Sequence, residues 1–219
     1  MQMNTAVARS QEAVLQTNKV IKNTYILLSM TLLFSAFTAY IGVASGIGHG
    51  MALVANLVAI GMLWFVLPRT ANSGAGIPTI FAITGLFGFG LGPVVGYYLS
   101  VNPTIVMTAL GGTGAIFLGL SGYALTTRKD FSFLGGFVMV GMLVVLGAAI
   151  LNLFLGVPAL FLAINAAIIM IMSAFILWET SSLINGGETN YIMATAGLFL
   201  SLLNMFQALM HLLGAFSDD

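Results

Sequence analysis

Apolar residues in this chain fall into long blocks, not into the three-and-four spacing of a helix lying on a globular core. Seven such blocks, nearly free of charge, are separated by short turns rich in Gly, Pro, Asn or charged residues. They predict seven helices, at roughly 24–45, 51–67, 78–99, 104–126, 132–155, 159–183 and 190–213. About twenty consecutive apolar residues are what a helix needs to cross the hydrocarbon core of a bilayer. The predicted fold is therefore an all-α membrane protein of seven transmembrane helices, with the lipid bilayer as its solvent. A polar tail over 1–23 precedes this domain, which spans 24–214, and a short C-terminal tail covers 215–219.

Composition agrees with the pattern. Of 219 residues, 59% are hydrophobic and only 5% charged, whereas soluble domains carry about 25% charged residues. Six basic and six acidic residues leave zero net charge, which removes the electrostatic footprint that nucleic-acid binding requires. The absence of cysteine excludes disulfides, thiolate metal sites and a cysteine nucleophile. The first block exceeds the apolar part of a signal peptide, about 7–15 residues, and reads as a retained span.

Basic residues orient the chain. Arg9, Lys19 and Lys22 precede span one, Arg69 follows span two, and Arg128 and Lys129 follow span four. With seven spans all six lie on one side, so the positive-inside rule puts the N-terminus in the cytoplasm and the C-terminal "FSDD" outside. An even number of spans would require span six or seven to be re-entrant.

Small and polar residues inside the spans mark where helices meet. Span three carries Gly88, Gly92 and Gly96 at a spacing of four, with Pro93 among them. This pattern predicts close backbone packing and a kink. Gly111, Ala115 and Gly119 repeat it in span four. "GFGLGP" and "GGTG" are not phosphate loops, because they lie inside apolar helices with no preceding strand. In span seven, Asn190, Ala194, Gly197, Ser201, Asn204, Ala208 and His211 form a single stripe. Amides and imidazole are expensive toward lipid, so the stripe is expected to face protein or water, with span seven an inner helix. A structural hydrogen-bonding seam and a solvated pathway both account for it.

Catalytic chemistry finds no foothold. There is no H-E-x-x-H and there are two histidines, His49 and His211, which argues against a zinc hydrolase. Ser201 and His211 share a face but stand about 15 Å apart along a helix, too far to act as nucleophile and base. The last lysine, Lys129, lies in a loop, so no intramembrane lysine can form a retinal Schiff base. No catalytic residue, metal ligand or cofactor site is assigned. Glu179 remains, one residue beyond an uncharged run from Ala159 to Trp178. It is solvated if span six ends near Trp178, and desolvated and proton-sensing if the helix continues to Ile184.

"GLGPVVGYY", "ALGGTGAIF", "TTRKDFSFLGG" and "ETSSLINGGETNYIMATAGLFLSLLNMF" resemble the Bax inhibitor-1 family of seven-helix membrane proteins. The likeness is greatest to its bacterial branch and extends from about Lys19 to Gly214. It implies a non-enzymatic modulator of the membrane protease FtsH, with the N-terminal tail as the handle offered to that partner. It also implies an alternative, a pH-influenced calcium or cation leak. In that pattern an acid on helix six, matched by Glu179, pairs with an aspartate on helix seven, where this chain has Ser201 followed three residues later by Asn204. The carboxylate pair is therefore absent, and Glu179 is expected to accept a hydrogen bond from Ser201 as a latch between helices.

Overall fold

A computed structural model describes the backbone over 2–217 and side chains from Leu15 onward. The chain forms seven membrane-length helical spans, built from α1 (Gln2–Ala44), α2 (His49–Gly61) continuing into α3 (Leu67–Thr70), α4 (Gly76–Gly90) with α5 (Gly92–Val101), α6 (Pro103–Thr127), α7 (Leu134–Leu155), α8 (Pro158–Asn185) and α9 (Tyr191–Ser217). The helix of span one begins at Gln2, within what the sequence pattern assigns to a tail. Residues 2–23 contain neither Gly nor Pro, so nothing there interrupts a helix. At the other end α9 reaches Ser217, and Asp218 and Asp219 lie outside the described residues.

Span two crosses Pro68 instead of ending before it. Proline lacks the N–H that an α-helix uses and its ring crowds the carbonyl one turn back. The chain answers with one π-helical turn, Met62–Val66, closed by Leu67 N–H on Met62 O. The Arg69 guanidinium reaches back to the Phe65 carbonyl. Span three breaks at Leu91, between α4 and α5, with Pro93 in the first turn of the new helix where its missing N–H costs nothing.

The close packing predicted for span three is real at two of its three glycines. A Cβ at Gly92 would lie 2.7 Å from the Gly42 carbonyl carbon, and one at Gly88 would collide with Ser35 O and Thr38 Oγ1. Span one is therefore the partner. A Cβ at Gly96 would meet only Val43, at 3.7 Å. Span four differs from expectation: Gly111 and Gly119 face open space and Ala115 is exposed. Spacing fixes a face of a helix but not whether another helix covers it.

α9 occupies the centre, packed against α1, α4, α6 and α8. Leu198, Phe199, Met205 and Met210 are almost wholly enclosed. α7 packs principally on α8, and its other faces, with Leu143, Val144 and Leu151 mostly exposed, meet lipid. Several buried hydroxyls are satisfied on their own helices, as when Thr31 donates to Leu28 O and Thr113 to Ala109 O.

Candidate functional site

A groove runs along α9 between α7 and α9, floored by α8. Its α9 wall is most of the predicted stripe: Gly197, Ser201, Asn204, Ala208 and His211. The widest part, ≈470 Å³, has Ser201 and Asn204 opposite the apolar Met142 and Val145 of α7. It shares Asn204, Ala149 and Ile168 with a second chamber of ≈280 Å³ that adds Asn152, Asn165, Gln207 and His211. That chamber shares Phe161 and His211 with a third, ≈260 Å³, bounded by Tyr98 and Gly214. Asn190, at the head of the stripe, belongs elsewhere. It caps α9, accepting from Ile192 N at 2.9 Å, and donates to Ala71 O at 3.1 Å.

Glu179 is inside the helix. α8 continues to Asn185 and stops where Gly186, at φ 72°, turns left-handed and Gly187 N–H closes on Ser182 O. Only 7% of Glu179 is accessible, because α9 covers it. Its carboxylate packs over the bare backbone of Gly197, where Oε1 would stand 3.6 Å from a Cβ.

Ser201 is also buried, but its hydroxyl donates to Gly197 O at 3.0 Å. Among the described residues no hydrogen bond joins it to Glu179. The two are on facing helices without the expected latch, because a serine in a helix has a carbonyl within reach one turn back.

The amides are oriented by the same habit. Asn204 Nδ2 donates to Leu200 O and Asn165 Nδ2 to Phe161 O, each at 2.8 Å. A backbone carbonyl can only accept, so each amide turns its Nδ2 to it and keeps Oδ1 to accept from other groups. At the far end Tyr98 OH and His211 Nδ1 are 3.1 Å apart, and Phe161 meets the imidazole edge-on at 5.1 Å between centroids. Ser201 and His211 are thus engaged separately, as their spacing requires. No group of three His, Asp or Glu side chains among the described residues converges on a metal position. The groove has the chemistry of a hydrogen-bonding seam: it can order water or coordinate a cation weakly, and it presents no nucleophile–base pair. The stripe missed Asn152, Asn165, Gln207 and Tyr98. Asn165, the one amide in the apolar block of span six, is the available signal.

The sequence profile described as "Inhibitor of apoptosis-promoting Bax1" matches residues 17–218. The chain belongs to the Bax inhibitor-1 family. Within it, the chain is 47% identical over 220 residues to "Modulator of FtsH protease YccA" of Escherichia coli (strain K12), an alignment covering 99% of this chain and all of that one. A Vibrio cholerae membrane protein is 45% identical over 222 residues, covering 99% of this chain and all of its own. "Inner membrane protein YccA" of Escherichia coli O6:H1 matches at 47% over 220 residues, with the same coverage. Like other Bax inhibitor-1 proteins, this one is a multi-pass helical membrane bundle.

Proposed function

We propose that this Bax inhibitor-1 protein is an inner-membrane modulator of the quality-control protease FtsH, acting by binding the protease or competing for it. The observation that carries the reading is the full-length, 47% identical relative named for that role. Two features support it. The polar seam holds no constellation for bond-breaking chemistry, and the chain ahead of the first span offers a polar segment that a protease could engage. In this reading the N-terminus is cytoplasmic and the C-terminus periplasmic, which places Lys19, Lys22, Arg69, Arg128 and Lys129 on the protease's side. Affinity purification of the full chain from solubilised membranes should bring down FtsH. Deleting Met3 to Gln11 should lengthen the protein's lifetime in a pulse-chase, and a Gly/Ser stretch of equal length should restore turnover. Equal decay of all three forms would exclude the N-terminal segment as the point of engagement.

A second reading, a proton-influenced cation leak, is favoured by the acceptor-lined groove with Glu179 at one end. Ser201 in place of a second acid removes the carboxylate coupling that would tie conformation to pH, so the modulator reading ranks first. Purified protein in liposomes separates the two. Calcium flux without any partner, abolished in Glu179→Gln, would reverse the order.

A further inference from the structure

The helices α7 and α8 both end on a glycine in the left-handed region, Gly156 at φ 62° and Gly186 at φ 72°. α6 ends in the same way, but the residue in that position is Arg128, at φ 51°. It is the sole non-glycine with positive φ among the described residues. A β-carbon is unfavourable there, and glycine would relieve it. Backbone strain that persists in this manner points to a demand on the side chain.

That side chain borders a crevice of ≈280 Å³ where α1, α6 and α8 meet, at the end of the molecule that carries Lys19, Lys22, Arg69 and Lys129. Thr17, Asn18, Arg128 and Asn185 supply its polar surface, while Ile21, Leu125 and Ile184 supply its apolar surface. No acid lines it. Asp130 is occupied by Ser132 N–H at 2.8 Å and Glu188 by Asn190 N–H at 2.7 Å. Arg128 has no ion pair or side-chain hydrogen bond among the described residues. The crevice is also held in shape. The Ser181 hydroxyl, 1% exposed, accepts from Phe131 N–H at 2.9 Å and from Asn185 Nδ2 at 3.2 Å, and donates to Lys129 O at 3.3 Å. One buried oxygen thus fixes both the turn that follows Arg128 and the Asn185 side chain.

We propose that this crevice is a binding site for the phosphodiester of an anionic membrane lipid, with Arg128 as its principal ligand. The guanidinium offers several N–H donors to phosphate oxygens. Neutral hydroxyl and amide groups of Thr17 and Asn18 complete a donor-rich rim, and the apolar residues take the first methylenes of the chains. Basic pockets between helices at the cytoplasmic interface are suited to such headgroups. The site is independent of whether the protein modulates a protease or passes ions.

The test uses the purified full chain in micelles doped with phosphatidylglycerol or phosphatidylcholine, counting retained lipid by native mass spectrometry. Wild type should retain phosphatidylglycerol selectively. Arg128→Gln should weaken retention at least about tenfold, the effect of losing one charge-assisted group, while Lys129→Gln, with the same charge loss, should not. Arg128→Gly carries the distinguishing signature. It should abolish selective retention yet raise the melting temperature in neutral detergent by about 2–4 °C, since the strained β-carbon is gone. Equal losses in Arg128→Gln and Lys129→Gln would mean diffuse attraction and overturn the site. Retention unchanged in Arg128→Gly would do the same. Displacement of the lipid by equimolar glycerol phosphate would overturn the lipid assignment in favour of a soluble phosphate.

Discussion

Gly92→Ala and Gly96→Ala are the same substitution one helical turn apart, and the structure gives them opposite signs. At Gly92 the new methyl would lie 2.7, 2.9 and 3.0 Å from the carbonyl carbon, Cα and oxygen of Gly42. Carbon contacts are optimal at about 3.5–4.0 Å, so the helices must separate by about 1 Å. All three obstacles are backbone atoms, which cannot rotate away. Over-packing of this kind costs about 1–3 kcal/mol, offset only in part by alanine's better helix propensity, up to about 1 kcal/mol. At Gly96 the methyl would meet Val43 Cγ1 at 3.7 Å, an ordinary contact, so the propensity gain stands unopposed. The propensity term is common to both, so the two variants should differ by the over-packing cost, about 1–3 kcal/mol, or roughly 2–12 °C in melting temperature for a chain of this size. Thermal unfolding in a single detergent, followed by tryptophan fluorescence, measures the difference. Equal destabilisation at both positions would refute the assignment of the tight crossing to Gly42 and Gly92.

Ser181→Ala should cost about 1–3 kcal/mol, because it leaves the Phe131 N–H without its partner at 2.9 Å; a loss of melting temperature under 1 °C would contradict that network. Gly186→Ala has free space around its Cβ, so its expected cost is the left-handed backbone alone, about 1–2 kcal/mol, and it should leave the fold intact by circular dichroism. Asn190→Asp keeps the cap on α9 but forfeits the donor to Ala71 O and Asn72 Oδ1, and should retain more stability than Asn190→Ala, which loses both; a reversed order would show the cap to be dispensable.

Hydropathy made the seven spans legible because solvation by lipid dominates every local preference over such lengths. The central place of span seven was legible too, since its polar stripe needed cover on an otherwise apolar helix. What escaped was relational. Gly88 and Gly111 occupy equivalent patterns, yet one meets Ser35 and the other meets open space. The end of span six looked ambiguous because Glu179, Thr180, Ser181 and Ser182 resemble a solvated helix terminus. α9, Tyr25 of α1 and the turn after α6 bury most of that segment, and only a neighbour in space could reveal it. Pro68 likewise reads as a stop, and a single widened turn carries the helix past it. Of the candidate polar residues, Ser201, Asn204 and His211 come together along one groove, while Glu179 stands at its edge against Gly197.

The contacts that grip α1 are arranged in series along its length. Phe34 lies against Gly85, Ser35 and Thr38 against Gly88, and Gly42 against Phe89 and Gly92. A motor that pulls the chain by its N-terminal end would load these contacts in shear, all at once, instead of peeling them one by one. Resistance in that geometry is a sum over the whole crossing, so the first span would be the hardest to dislodge. Helix α7, which packs mainly on α8, would yield under far less tension. Mechanical strength in this bundle is thus directional, and its strongest axis is that of the first span.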